Sequence, residues 1–221
     1  MEKEKNEDYK MKVIKINEKN LKDAVVIAAK YLGEGKTVVY PTETAYALGV
    51  DAMNENALLE LCRIKKRPLY IPMLVLVYDL EMIKEYGYID KRIEILVEKF
   101  MPGPLTIAIK KRKFVPDLLN PEGISFRISS NPIATEIVKN VGRPITGTSA
   151  NLHKKPLIYN PQKILDFFSQ SVDLFIDSGI LPKNPPSTVI DLKPKIPRVI
   201  REGALDSRLI FEELERGGMM K

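Results

Sequence analysis

Short apolar runs of two different kinds alternate along this chain, and that alternation restricts the fold more than any other feature. Residues 37–40, 73–77 and 105–109 have the length and apolar character of buried strands. Residues 21–32, before the first of these runs, and residues 91–100, before the last, carry apolar side chains at helical spacing. Strands that alternate with helices from end to end predict an α/β protein.

Composition narrows the class of protein further. The 221 residues are 44% hydrophobic and 29% charged, which is typical of a globular domain. The longest apolar stretch, residues 71–77, is far shorter than the roughly 18 residues that a membrane-spanning helix needs. Residues 1–12 are charged, lack a signal-peptide core, and are expected to be frayed. We therefore expect a cytoplasmic protein with no membrane contact.

Several kinds of site are excluded by what the sequence lacks. A single cysteine, Cys62, rules out an intramolecular disulfide, and its place among apolar helix positions favours a core residue over a nucleophile. A single histidine, His153, excludes a histidine-rich metal site and a Ser-His-Asp triad, and we interpret it as a surface loop residue. Neither the P-loop nor the dinucleotide-binding glycine pattern is present. The formal charge of +6 suits an anionic ligand such as a nucleotide or tRNA, but scattered surface lysines explain it equally well.

Three cations, Lys65-Lys66-Arg67, close a predicted helix that the proline at position 68 should end. Cations at a helix C-terminus are stabilising by about 0.3–1 kcal/mol, and on charge alone this explanation is preferred. The alternative is a phosphate clamp at an exposed helix end. In that case Arg67 would supply a rigid fork of donors and Lys65 a compact charge.

A loop of small polar residues follows an apolar strand at Ile145. Backbone amides near a glycine, flanked by hydroxyl groups, can cradle an anion, but the same composition is typical of an ordinary turn. Both interpretations stay open for this loop, which contains Thr146, Gly147, Thr148, Ser149 and Asn151.

A third polar string, residues 41–46, also follows a predicted strand. Its proline, Pro41, cannot donate to a sheet and should end that strand. Open α/β sheets usually bind ligands at strand ends, where all of these strings lie.

Six strings in the same order resemble the YrdC family, the threonylcarbamoyl-AMP synthases. Residues 41–49 are similar to its P-T-E-T-V-Y-G-L-G segment, and Lys65-x-Arg67 and Ser149-x-Asn151 match its K-x-R and S-x-N pair. Residues 102–106 are similar to its W-P-G-P-L-T segment without the Trp, and residues 187–191 and 200–203 are similar to its S-T-V-V-D and L-R-P-G strings. The likeness extends from Thr37 to Leu205, which implies a single YrdC-like domain over residues 13–221.

The resemblance has departures. Ala45 and Ala47 replace the family's usual Val and Gly. Ile71 and Leu76 stand where the family often has Asn and His, and Leu157 stands where a Ser is common. Longer members carry a second domain, which we do not expect here.

What the resemblance implies is specific. The fold would be α/β (α+β), a twisted, largely open mixed sheet with packed helices, enclosing a basic concave cavity. The activity would be synthesis of L-threonylcarbamoyladenylate from ATP, L-threonine and bicarbonate with release of pyrophosphate. The product serves threonylcarbamoyladenosine formation at position 37 of tRNA. Mg²⁺ would arrive with ATP, without a direct side-chain ligand.

The resemblance also assigns residues. The catalytic set would be Lys65, Arg67, Ser149 and Asn151, which together with Arg201 would hold ATP. Threonine would be held by Thr44, Arg127 and Ser187. The supporting residues would be Thr42, Tyr46, Gly147 and Thr148. Without the family, Arg127 would be interpreted as a paired arginine at a strand end. Contacts with tRNA and with the threonylcarbamoyl-transfer machinery are further expectations.

Two other functions remain as alternatives. One is a tRNA or double-stranded RNA binding module without catalysis, which would usually show exposed aromatic residues or basic stripes rather than Thr/Ser loops. The other is a carbamoyl-transfer domain like the one in hydrogenase-maturation proteins, which is embedded in much longer chains.

Overall fold

The computed structural model describes residues 10–219, which form seven helices and eleven strands. Asparagine or aspartate side chains cap most of the helices. Asn54, Asp79, Asp90 and Asn131, for example, each accept a hydrogen bond from a backbone N–H in the first helical turn. The helices are α1 Leu21–Gly33, α2 Glu55–Lys65, α3 Leu80–Tyr86, α4 Lys91–Phe100, α5 Pro132–Val141, α6 Pro161–Phe168 and α7 Ser207–Arg216.

The strands are short and follow the predicted alternation with helices. Pro41 is the last residue of its strand, paired with Tyr46, so the strand extends one residue further than the sequence predicted. The strands are β1 Lys12–Lys15, β2 Val38–Pro41, β3 Tyr46–Gly49, β4 Leu74–Val77, β5 Leu105–Ile109, β6 Ile124–Ile128, β7 Ile145–Thr146, β8 Thr148–Ser149, β9 Leu174–Asp177, β10 Thr188–Asp191 and β11 Arg198–Arg201.

These strands form two mixed sheets, where the sequence predicted one. The order is β1-β9-β2-β3-β8 in the first and β11-β10-β5-β6-β4-β7 in the second. The chain passes from one sheet to the other at Gly147, because β7 pairs with β4 and β8 pairs with β3. A Cβ on Gly147 would lie 2.9 Å from Cγ of Leu76, so the crossing needs a residue without a side chain.

The six-stranded sheet has one apolar face and one face of small or polar residues. In β6, Ile124, Phe126 and Ile128 alternate with Ser125 and Arg127. Strand register aligns this second face with its neighbours. Ser125 lies opposite Ala108 of β5 and Leu74 of β4, and Thr106 lies opposite Val189 of β10. The mixed α/β fold is therefore confirmed, with a sheet face free to line a site.

The N-terminal prediction is tested only in part. Residues 1–9 of the expected frayed segment lie outside the described residues. At Met11 and Lys12 the structure differs from that expectation. Met11 is 3% exposed and its N–H donates to the Ser169 carbonyl, while Lys12 begins β1 beside β9. Within residues 10–219, no helix combines the length and apolarity required to cross a bilayer.

Candidate functional site

A cavity of about 480 Å³ lies on the polar face of the six-stranded sheet. Its floor includes Leu74, Thr106, Ala108, Ser125, Arg127 and Val189, from four neighbouring strands. The other sheet contributes Tyr46 and Ala47 from β3 and Thr148 and Ser149 from β8. The cavity is therefore shared by both sheets, close to where the chain crosses between them.

Most of the predicted site residues meet here. Ten of the twelve line the cavity: Thr42, Thr44, Tyr46, Arg67, Arg127, Gly147, Thr148, Ser149, Ser187 and Arg201. Lys65 and Asn151 are not among the lining residues and lie behind the wall that Ser149 forms. Lining residues that the sequence analysis missed include Asn120, Glu122 and Lys193. No motif marked them, because their side chains reach the cavity only through the fold.

One part of the site, which we call the loop end, consists of the lining residues Arg67 and Ser149 with Lys65 and Asn151 behind them. Lys65 closes α2 but is only 2% exposed, so the prediction of an exposed helix end is wrong for this residue. Its ammonium donates to the Ser149 carbonyl, to the Asn151 carbonyl at 2.8 Å and to Asn151 Oδ1 at 3.5 Å. The carbonyl of Lys65 in turn accepts from the His153 N–H at 2.9 Å. These hydrogen bonds connect the C-terminal end of α2 to the loop of residues 149–153.

The cations of the loop end are held by neutral oxygens. Arg67 Nη2 donates to the Pro72 carbonyl at 2.6 Å and the Ile71 carbonyl at 3.4 Å, and no carboxylate of the described residues pairs with Lys65 or Arg67. Burial lowers the pKa of Lys65 to about 7, and repulsion by Arg67 adds to this. Burial also lowers the pKa of Arg67. An anion bound here would relieve both effects.

A second part of the site, which we call the strand end, consists of the lining residues Arg127 and Thr44 with Glu43 paired to Arg127. The Arg127 side chain is 5% exposed and its Nη2 donates to Glu43 Oε1. Its Nη1 and Nη2 lie 3.4 and 3.3 Å from Thr44 Oγ1. Glu43 Oε2 accepts from the hydroxyl of Ser129. The sequence analysis did not predict this pairing, since Glu43 and Arg127 are 84 positions apart.

Two buried nitrogens in the cavity wall lack partners. Nε of Arg67 and Nε of Arg127 are buried and make no hydrogen bond within residues 10–219. Buried donors are nearly always paired in folded proteins, so each unpaired one needs an explanation. Both Nε atoms are shielded from the cavity as well as from solvent, so a ligand in the cavity would contact these residues through their other guanidinium nitrogens.

Arg201 and Ser187, which the resemblance assigned to different ligands, are in contact. Arg201 donates to the Ser187 carbonyl through Nε at 3.0 Å and through Nη2 at 2.8 Å, and Nη2 also reaches Ser187 Oγ at 3.1 Å. Ser187 Oγ lies 2.8 Å from Thr106 Oγ1. Burial lowers the pKa of Arg201 and repulsion by Arg127 adds to it, so Arg201 lies on the side of the strand end.

The supporting residues shape the cavity wall. Thr42 Oγ1 donates to the Ala45 carbonyl at 2.7 Å and accepts from the Thr44 N–H at 3.2 Å, which closes the β2–β3 turn. Tyr46 OH donates to the Gly179 carbonyl at 2.7 Å, and burial raises its pKa well above the ordinary value. These bonds hold the turn over the strand end.

The positions that depart from the family pattern differ in their surroundings. Leu157 lines the cavity, so an apolar surface replaces the common hydroxyl there. Leu76 is buried against Gly147 and does not line the cavity. Ile71 contacts the site through its backbone carbonyl, which accepts a hydrogen bond from Arg67.

The described residues offer no protein-held metal centre. Within residues 10–219, no three His, Cys, Asp or Glu side chains are grouped so that they could ligate an ion. Divalent metal sites in proteins usually require several such ligands. The cavity itself is lined by one carboxylate, Glu122, whose Oε2 lies 3.9 Å from Lys193 Nζ.

Comparison with known proteins identifies the family. The model of the Sua5/YciO/YrdC family, described as "Telomere recombination", matches residues 30–203, more than half of the chain. The chain belongs to the Sua5/YciO/YrdC family. The same fold is therefore expected in its relatives, and their structures bear this out.

Two Sua5/YciO/YrdC relatives are informative. A protein of Pyrococcus abyssi named threonylcarbamoyl-AMP synthase is 31% identical over 207 residues, which cover 92% of this chain and 60% of that protein. The crystal structure of P. abyssi Sua5 with L-threonine superposes with a TM-score of 0.83 at 30% identity, over 92% of this chain and 59% of that one. Escherichia coli YciO superposes with a TM-score of 0.77 at 31% identity, over 90% of this chain and 96% of that one. This chain thus spans about three fifths of the P. abyssi protein and nearly all of YciO.

Proposed function

We propose that this protein is a threonylcarbamoyl-AMP synthase, which makes L-threonylcarbamoyladenylate from ATP, L-threonine and bicarbonate. The observation that carries the proposal is one cavity lined by two arginines, Arg67 and Arg127, together with the hydroxyl residues Thr44, Ser149 and Ser187. Anionic groups of two different substrates would pair with these two cations. The name of the P. abyssi relative and its crystal structure with L-threonine support the same reading.

The loop end suits the phosphates of ATP. Lys65 and Arg67 are two cations without a carboxylate partner, and the Ser149 and Thr148 side chains lie in the same wall. In this proposal Arg67 contacts the phosphates directly, whereas Lys65 holds the Ser149–Asn151 loop and adds positive charge from behind. Lys65 and Asn151 are thereby positioning groups, which differs from the direct contacts that the family resemblance implied.

The strand end suits a small amino acid. Arg127, which lines the cavity, would receive the threonine carboxylate, and Thr44 Oγ1 lies within 3.4 Å of its guanidinium nitrogens. Ser187 and Thr106 offer hydroxyls on the neighbouring strand ends. Arg201, which donates to Ser187, lines the same cavity and in this proposal contacts the α-phosphate.

In the proposed reaction, the side chains need only to position the substrates and to neutralise their negative charge. The amine of threonine and bicarbonate form a carbamate with loss of water. A carbamate oxygen then attacks the α-phosphorus of ATP, and the bond to the β-phosphate oxygen breaks to release pyrophosphate. Since the carbamate is already an anion, no strong protein base is required, in keeping with a cavity wall that contains no histidine.

Magnesium, tRNA and location are further parts of the proposal. Mg²⁺ would neutralise phosphate charge and arrive bound to ATP, since the described side chains group no set of metal ligands. The product is unstable in water on general chemical grounds, so contact with the threonylcarbamoyl-transfer machinery or with tRNA would protect it. Substrates of this kind place the reaction in the cytoplasm.

The two alternative functions are less well supported. A non-catalytic RNA-binding module would not need paired guanidinium groups inside a cavity of about 480 Å³. Nucleic acids are bound by exposed basic and aromatic surfaces instead. A carbamoyl-transfer domain shares the need for a carbamoyl group, but the curated relative that covers nearly all of this chain bears the synthase name.

One assay tests the proposal. The protein is incubated with ATP, L-threonine and bicarbonate, and the adenylate and pyrophosphate are quantified by chromatography. We expect both products in equal amounts, with release that depends on all three substrates and is strongly reduced by Arg67→Ala. Pyrophosphate release that is independent of threonine, or absence of the adenylate, would contradict the proposal.

A further inference from the structure

Glu43 is the one carboxylate that the structure places against a guanidinium of the cavity wall, and the proposed reaction has no use for it. Its Oε1 accepts from Arg127 and its Oε2 accepts from Ser129. The Glu43 side chain is 17% exposed and is not among the cavity-lining residues. It therefore contacts Arg127 without forming part of the cavity lining.

The carboxylate is itself fixed from several directions. Ser129 Oγ, which donates to Glu43, accepts from the Asn131 N–H at 3.2 Å, at the start of α5. The Glu43 carbonyl accepts from Asn184 Nδ2 at 2.7 Å. Its neighbours on the β2–β3 turn are tied by the Thr42 hydroxyl. A carboxylate held in this way restricts the rotation of the guanidinium that it binds.

The charge of Glu43 has a second consequence. Two guanidinium groups, Arg127 and Arg201, are close enough to repel each other, and Glu43 cancels one of these charges. The loop end has no such carboxylate. The strand end is therefore the less positive of the two, although each contributes one arginine to the lining of the same cavity.

We infer that Glu43 is a positioning and specificity-determining residue, which orients Arg127 and lowers the charge of the strand end so that it accepts a monocarboxylate rather than a phosphate group. The inference rests on the proposed function, because it takes an amino acid as the ligand of Arg127. In this inference, the ion pair between Glu43 and Arg127 keeps the two anionic substrates at different places in one cavity.

Two variants separate orientation from charge. Glu43→Gln keeps the shape and can still hydrogen bond to Arg127 and Ser129, but it removes the negative charge. Ser129→Ala keeps the charge and removes the anchor. The matched control is Glu60→Gln, which removes a carboxylate paired with Arg63 at 2.5 and 2.7 Å on the exposed face of α2.

The measurement is calorimetric titration with L-threonine, with and without inorganic pyrophosphate, and with ATP alone. For Glu43→Gln we expect the threonine dissociation constant to rise about tenfold, the ATP constant to stay within twofold, and pyrophosphate to become a competitor of threonine. For Ser129→Ala we expect a smaller loss of threonine affinity without competition by pyrophosphate. The control and the wild type should show no competition.

The outcomes distinguish this inference from the function on which it rests. Failure of the wild type to bind threonine would overturn the proposed function. Threonine binding by the wild type, with unchanged affinity and no pyrophosphate competition in Glu43→Gln, would overturn only the role of Glu43. Equal losses of threonine and ATP affinity in Glu43→Gln and in Ser129→Ala would show a purely structural carboxylate, and would overturn it as well.

Discussion

The loop end and the strand end of the cavity hold their cations by different means. At the loop end, Lys65 and Arg67 donate to carbonyl oxygens, which carry no formal charge. At the strand end, Arg127 donates to the carboxylate of Glu43. Carbonyl oxygens accept hydrogen bonds from a cation but leave its positive charge uncompensated. A carboxylate accepts the same hydrogen bonds and also neutralises the charge. Two basic sites in one cavity can thus be given different anion preferences by their neighbours.

The difference also concerns stability. A buried ion pair is strongly destabilised when one partner is removed, because the other charge stays buried without compensation. A buried cation held by carbonyls leaves neutral acceptors behind when it is removed, and these are less costly. The four predictions that follow test this contrast, beginning with the largest expected effect.

Arg127→Ala should break the strand end in two ways. Threonine affinity should fall by about 2–5 kcal/mol through loss of a charge-assisted pair, and the free energy of unfolding should fall because Glu43 is left unpaired. ATP affinity, measured separately by calorimetry, should hardly change. The double variant Glu43→Gln/Arg127→Ala should be more stable than Arg127→Ala in urea denaturation. A parallel loss of ATP binding would mean that Arg127 belongs to the nucleotide site.

Lys65→Ala should destabilise the chain, in contrast to the sequence-based expectation of an exposed side chain. The variant leaves the Ser149 and Asn151 carbonyls without their donor, at a cost of about 1–3 kcal/mol. Urea denaturation measures the loss, and Arg63→Ala, in the same last turn of α2 but exposed, is the control. If Lys65→Ala abolished pyrophosphate release at unchanged stability, Lys65 would be a direct phosphate ligand and the contrast between the ends would weaken.

The stability contributed by Lys65 should depend on pH. Burial lowers its pKa to about 7, whereas an unfolded lysine titrates near its ordinary value of about 10.4. Between these values the unfolded chain binds more protons, so stability should rise with pH, by at most about 1.4 kcal/mol per unit. We expect the free energy of unfolding of the wild type, relative to that of Lys65→Met, to be larger at pH 9 than at pH 7, as measured by urea denaturation. An equal difference at both pH values would show that Lys65 stays charged among its carbonyl partners.

Preference for threonine over serine should be the smallest effect. The strand end offers the hydroxyls of Thr44 and Ser187 in the cavity wall, so both amino acids can be held by their polar groups. The methyl group then accounts for the discrimination, and such a group contributes about 1–3 kcal/mol. Pyrophosphate release with each amino acid measures the ratio of kcat/KM. Equal rates would indicate that no apolar surface contacts the methyl group.

Much of this molecule was determined locally by the sequence. Apolar periods predicted helices and strands, and the alternation in residues 124–128 turned Arg127 away from the apolar side chains. The Asn54 and Asn131 side chains cap α2 and α5 through hydrogen bonds to residues two or three positions along the chain. Residues of the singled-out strings, among them Thr44, Arg67, Ser149, Ser187 and Arg201, line the cavity. These features depend on the side chains of a few neighbours, which a sequence displays directly.

Only the tertiary structure decided which segments meet at the cavity, which cations are buried and which charges are paired. The division into two sheets depends on a crossing at Gly147, and the burial of Lys65 depends on a loop 84 positions away that folds over the end of α2. The pairing of Glu43 with Arg127 and the contact of Arg201 with Ser187 likewise join separate segments. Burial and Coulomb interactions act through space, so the charge of a site follows from which segments meet, and no local pattern records that.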